Sequence, residues 1–190
     1  YWIQNRQLRE NKKTRYMINA SLKYQLFDWL DVVGRVKIDN YDNRSTYKAY
    51  ASTSSLASGS RGTYADTSSQ SKNTYADAIA TLNKSFNDWS VNVNLGVSLS
   101  DSRYEMIGYE GGLKLINFFA VHNIDFNKAW KAKQSGWHDQ TRAIFANAEI
   151  GWKSMIYLTA TGRNDWDSRL AFSDYKSFFY PSVVLSAILT

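Results

Sequence analysis

The sequence predicts an all-β fold: an antiparallel, up-and-down section of a transmembrane β-barrel with about seven strands. Three observations predict it. First, Ser90-Val91-Asn92-Val93-Asn94-Leu95-Gly96-Val97-Ser98-Leu99-Ser100 alternates without a break, aliphatic at odd positions and Ser, Asn or Gly at even ones. Successive side chains of a strand point to opposite faces, so this segment has one apolar and one polar face. Second, similar segments recur along the chain and run about 11–13 residues. An ordinary strand has about 5–6, whereas a strand that crosses hydrocarbon needs about 9–11. Third, short and long connections alternate, as they do between the two rims of a membrane barrel.

Composition narrows the class. The 190 residues hold no Cys, which excludes disulfides and Cys-ligated metals. Aromatics make up 15% and the net charge is +6. The one locally basic run, Arg9-Glu10-Asn11-Lys12-Lys13-Thr14-Arg15, lacks the long stripe of a nucleic-acid binder. No apolar run is long enough for a transmembrane helix, and no signal peptide is visible. A chain that opens on Tyr1 rather than Met suggests a processed chain or a fragment.

The elements follow in order. Behind a polar N-terminal stretch, Tyr16, Ile18, Ala20, Leu22, Tyr24 and Leu26 form one face, and Phe27-Asp28-Trp29 a tight turn. Leu30, Val32, Gly34, Val36 and Ile38 then alternate with Asp31, Val33, Arg35, Lys37 and Asp39, completing a hairpin. Residues 43–72 read as a long Ser/Thr/Ala/Gly-rich loop. A weaker strand sets Thr74, Ala76, Ala78, Ala80 and Leu82 against Tyr75, Asp77 and Thr81. Asn87-Asp88-Trp89 is the second turn, and the strand of the opening paragraph follows. Residues 101–139 read as a second long connection, with a short strand somewhere in 113–126. Ile144, Ala146, Ala148 and Ile150 then oppose Asn147 and Glu149, with Phe145 off pattern. Gly151-Trp152-Lys153 reads as the third turn, and Ile156, Leu158, Ala160 and Gly162 oppose Tyr157, Thr159, Thr161 and Arg163. After a polar loop at 164–177, Phe179, Pro181, Val183, Leu185, Ala187 and Leu189 form the last apolar face. Pro181 suits a strand start or a sheet edge. Aromatics at the short turns (Tyr24, Phe27, Trp29, Phe86, Trp89, Trp152) and at the far ends (Trp166, Phe172, Phe178, Phe179) predict two interfacial girdles. The alternative is a soluble β-sandwich, whose strands alternate in the same way.

Thr159-Ala160-Thr161-Gly162-Arg163-Asn164-Asp165-Trp166, followed by Phe178-Phe179-Tyr180-Pro181-Ser182-Val183, resembles the barrel of the SusC/RagA family of TonB-linked outer-membrane transporters. Tyr1-Trp2, Asn19-Ala20-Ser21-Leu22-Lys23-Tyr24, Asp28-Trp29-Leu30, Gly34-Arg35, Arg142-Ala143-Ile144-Phe145 and Gly151-Trp152-Lys153 agree with it, and the two long loops do not. The resemblance implies a barrel of about 22 strands around a plug. It implies TonB and a SusD-like surface lipoprotein as partners, and import of oligosaccharides or peptides across a Bacteroidetes-type outer membrane. A seven-stranded piece leaves two unpaired edges, which lipid does not tolerate. Residues 1–190 are therefore expected to be an internal section of a larger barrel, without the plug or the TonB-binding segment. The expected topology puts the short turns on the periplasmic side and the long connections outside, so that a cysteine at Ser58 is labelled on intact cells and one at Asp88 is not.

Catalytic chemistry finds no support: there is no Ser-His-Asp order and no phosphate-binding glycine loop, so no enzyme is expected. His122 and His138 read as solvated loop histidines. Asn164, Asp165 and Asp167 read as turn formers rather than a cation site. No cofactor is expected, and calcium, which the family can hold, finds no support here. The candidate lumen-facing residues are Arg35, Lys37, Asp39, Asn92, Asn94, Tyr157, Thr159 and Arg163, with Tyr75 and Asp77 on the same face. The family-motif residues are Arg163, Asn164, Asp165, Trp166, Tyr180 and Pro181. Tyr and Trp near loop tips could stack on sugar rings. A passive porin-type barrel has the same wall without a plug, and remains an alternative.

Overall fold

The computed structural model describes residues 3–53 and 59–188. Tyr1-Trp2, Ser58 and Leu189 lie outside them. Seven antiparallel strands lie in one sheet in sequence order: β1 (Gln7–Phe27), β2 (Leu30–Ala49), β3 (Thr63–Phe86), β4 (Trp89–Gly112), β5 (Trp130–Trp152), β6 (Ile156–Asp167) and β7 (Ser177–Ala187). The helical elements among the described residues are single 3₁₀ turns at Ile3–Asn5, Val121–Asn123 and Ser168–Leu170. None is long and apolar enough to cross a membrane, which says nothing of strands. A single meandering sheet is not a sandwich, so that alternative falls.

The strands are longer than their apolar patterns. β1 has 21 residues, β2 20, β3 and β4 24 each, and β5 23. The expected loop at 43–72 is mostly strand, with the connection confined to 50–62. Likewise 101–112 belongs to β4 and 130–139 to β5, and β6 runs on to Asp167. The N-terminal polar stretch is strand from Gln7. These extensions carry few aliphatic residues and no sustained apolar alternation, so the pattern does not mark them. The short strand expected in 113–126 is a single bridge between Leu113 and Ile124. The third turn falls at 153–155 rather than at Gly151-Trp152-Lys153, and Lys153 and Ser154 take left-handed backbone there. Asn87 does so in the second turn, a conformation Asn tolerates.

Two compact units divide the chain. One comprises residues 17–39, 73–102 and 138–190. Its strands alternate as the sequence predicts, and its aliphatic face is open. Leu22, Leu95, Ile144 and Leu185 are exposed by 75, 55, 56 and 71%, whereas Gly96 between Leu95 and Val97 is buried. Soluble sheets bury this face; here nothing among the described residues covers it. The register fixes which residues share it: Ile150, Leu158 and Leu185 form one row across β5, β6 and β7, and Ala148, Ala160 and Val183 the next. Pro181 lies opposite Gly162 on β7, which pairs with β6 alone among the described strands. Pro181 thus sits on an edge strand, where a missing N–H is tolerated, and not at the strand start. Rings cluster beside the short turns: Phe27 stacks on Trp29 at 5.2 Å, and Trp89 meets Trp152 at 6.5 Å. At the other end Trp166 and Phe179 lie on the aliphatic side, but Phe178 pairs with Asp165 on the polar side, and Phe172 is in the 168–176 loop. The far girdle is therefore thinner than expected.

The other unit comprises residues 1–16, 40–72 and 103–137. A small core of Tyr64, Leu113 and Ile124 organises it, with Tyr109, Phe119 and Val121 packed against it. Asn123, 3% exposed, holds the loop around that core: its amide donates to the carbonyls of Leu115 and Phe118 and accepts from the Leu115 N–H. Gly62 has φ +97°, and a Cβ there would stand 2.9 Å from the Ala49 carbonyl, so both backbone and space call for glycine.

Candidate functional site

The polar face of the unit that carries the open aliphatic face gathers most of the predicted residues into three clusters. In the first, Arg35 of β2 grips Asp77 of β3 with two bonds, Nε to Oδ1 at 2.9 Å and Nη2 to Oδ2 at 2.8 Å. The Asp77 side chain is 1% exposed and the Arg35 side chain 52%. A buried carboxylate without such a fork would be costly, so Arg35 and Asp77 act as one group with an exposed cationic edge. With Lys37, Tyr75, Asn19 and Ser21 they line a groove of about 380 Å³. Asp39 follows two residues along β2, outside that lining.

The second cluster is an amide ladder across β3 and β4. Thr81 Oγ1 donates to Asn94 Oδ1 at 2.8 Å, Asn94 Nδ2 to Asn92 Oδ1 at 2.8 Å, and Asn92 Nδ2 to Asn83 Oδ1. Asn92 and Asn94 thereby find partners on their own face.

The third cluster surrounds an aromatic the alternation could not place. The far end of the Phe145 ring packs on Gly96, where any Cβ would collide with it. Arg163 lies over that ring, its Cζ 5.7 Å from the centroid, and its Nε donates to Asp165 at 2.8 Å. Tyr180 is the cross-strand partner of Arg163. The stack leaves a cation and an aromatic edge side by side. Its signal in the sequence is Gly96 alone among Asn and Ser on one strand, with one large ring out of pattern on another. Nearby on β6, Thr159 donates to Glu149 at 3.1 Å, and Tyr157 packs over Gly151.

The motif residues do not act together. Arg163 and Asp165 are on the polar face, while Asn164 and Trp166 point to the aliphatic side, opposite Ile144 and Arg142. Asn164, Asp165 and Asp167 lie in β6, not in a turn. Asp167 alone caps backbone: it accepts from the Arg169 N–H and side chain, and from Thr141. Those donors hold its carboxyl well below the usual range. The two histidines do not share a loop: His122 meets the Phe118 ring at 5.6 Å, and His138, in β5, bonds Asp101 at 2.8 Å. Among the described residues no three His, Asp or Glu converge as a metal site would need.

The fold matches known structures over nearly its whole length. Superposed on the RagAB peptide transporter it gives a TM-score of 0.86 at 14% identity, covering 96% of this chain and 20% of that one. The chain has the fold of a section of a TonB-dependent transporter barrel. The 'open-open' state of the RagAB peptide importer gives 0.87 at 13% identity, again over 96% and 20%. The siderophore receptor PiuA from Acinetobacter baumannii gives 0.54 at 11%, over 92% and 29%. The barrel section thus spans about a fifth of the RagAB chain it matches. No family model and no curated protein matches the sequence. The resemblance to SusC/RagA read from residues 159–183 is borne out in the fold. The similar structures are transporters and receptors, not enzymes.

Proposed function

We propose that residues 1–190 form part of the wall of a TonB-dependent importer in a bacterial outer membrane, taking up oligosaccharides or peptides. The observation that carries this is the inverted sheet: open aliphatic rows on one side, a bonded polar face on the other. Lipid solvates the first and water the second. The edges β1 and β7 would be paired by further strands of the same barrel, since unpaired backbone in lipid costs several kcal/mol per group, in the range of about 2–7.

On this reading the Arg35–Asp77 fork, Lys37 and the Arg163–Phe145 stack line the lumen beside a plug supplied by the rest of the protein. They give a passing solute cations for carboxylates or hydroxyls and a ring edge for stacking. The support from similar structures is that the RagAB protein is a peptide importer. A SusD-like lipoprotein would deliver the solute from outside, and a TonB-binding segment elsewhere in the protein would energise its release inward.

The test is uptake of labelled oligopeptides and oligosaccharides by cells that express the intact protein. Uptake should vanish without TonB, and should fall in Arg35→Ala and Arg163→Ala while the barrel still inserts. Uptake that persists without TonB would mean a passive pore and overturn the reading.

A further inference from the structure

One feature of the aliphatic face is unlike the rest of it. β3 presents Ala76, Ala78 and Ala80 where its neighbours carry Val97, Leu95 and Ile144. The small side chains leave a trough. One part, about 580 Å³, is lined by Ala76, Ala78, Val97, Leu99, Ile144 and Trp166. It adjoins a second of about 290 Å³ that shares Ala78, Val97 and Ile144 and reaches Ala80 and Leu95. At about 3.3 Å per residue the alanine row spans roughly 13 Å.

Arg142 lines the same trough. It is exposed, and its register partner on β6 is Trp166. A guanidinium beside aliphatic rows calls for an anion, and among the described residues Arg142 makes no ion pair or side-chain hydrogen bond. Asp101 is engaged by His138 at 2.8 Å and Gln140 at 2.6 Å. Asp165 belongs to Arg163 and Asp167 to Arg169. A fork of N–H donors suits a phosphate, and tryptophan beside it marks head-group depth.

From this geometry we infer that the face binds a phosphate-bearing, acylated membrane lipid, its phosphate on Arg142 and one acyl chain along the alanine trough. The inference rests on the reading that this face meets lipid. Charge complementarity selects the head group, and the trough selects a chain rather than a bare ion.

Native mass spectrometry of the intact protein in detergent tests it, with diphosphorylated lipid A, the same lipid stripped of phosphate, and inorganic phosphate as probes. Wild type should retain lipid A. Arg142→Gln should weaken retention about tenfold, the loss of roughly one charge-assisted bond, and Arg142→Lys should restore part of it. Ala78→Phe, which fills the trough without touching charge, should weaken it as well. Equal retention by wild type and Arg142→Gln would overturn the inference, as would equal binding of the stripped lipid. Displacement of lipid A by inorganic phosphate, with Ala78→Phe unchanged, would reduce the site to an anion site and overturn it too. Insertion into liposomes and heat-dependent gel migration are scored separately for each variant. Failure of wild type there would sink the membrane reading itself, whereas normal insertion with no lipid selectivity sinks only this inference.

Discussion

Leu95 and its neighbours on β4 set the sharpest contrast at the scale of single residues. Leu95 is central in the apolar run and 55% exposed. If it faces lipid, Leu95→Arg should destabilise the barrel by about 2–4 kcal/mol and Leu95→Trp should cost little. Denaturant unfolding from liposomes reads both, and equal damage would contradict a lipid face. Asn94→Arg is not free on the other side, because it severs the bonds to Thr81 and Asn92, each worth about 1 kcal/mol. Gly96→Val should clash with Phe145 and cost about 1–3 kcal/mol. Phe145→Ala should relieve most of that clash, so a double-mutant cycle should give a coupling of similar size. Additive effects would show that the two residues do not touch.

At the scale of elements, the extensions of β2 and β3 depend on polar contacts where the central parts depend on faces. Arg44 grips Asp66 at 2.7 and 3.1 Å, and Tyr64 Oη donates to the same carboxylate at 3.2 Å. The Arg44 hydrogen bonds hold the Asp66 carboxyl below its ordinary value, against the opposing effect of burial. A depressed folded-state pKa means that this stability is present above the unfolded value, about 3.9, and is lost as pH falls through the folded one. Amide protection factors in 40–49 and 63–72, referred to the intrinsic exchange rate at each pH, should therefore fall below about pH 4 in wild type. Arg44→Gln should exchange faster at neutral pH and lose that acid dependence. An unchanged pH profile in the variant would remove the pair from any stabilising role.

Topology is the property of the whole molecule that labelling reads directly. With the short turns periplasmic, Ser60→Cys, in the described part of the 50–62 connection, should react with an impermeant maleimide on intact cells, and Asp88→Cys should react only after lysis. The opposite pattern would invert the barrel and move the polar groove of Arg35 and Lys37 nearer the wrong compartment for uptake.

How much of this was legible follows from what alternation can encode. Period-two patterning depends on two different solvents touching one strand. It therefore marked the central parts of all seven strands, and by residue type it assigned Arg35, Asn92, Asn94, Tyr157, Thr159 and Arg163 to the polar face. Outside those parts the aliphatic alternation lapses, and residues 43–49, 63–72, 101–112 and 130–139 read as loop although they are strand. Partnership was equally hidden. Nothing in the order of residues pairs Arg35 with Asp77, 42 positions away, or seats Phe145 on Gly96. Those contacts depend on cross-strand register, which is set jointly by turn geometry and ladder bonds. The sequence by itself determined that this chain is a sheet with one apolar and one polar side. Only the tertiary structure decided which side is left open, because exposure belongs to the assembled strands and not to any one of them.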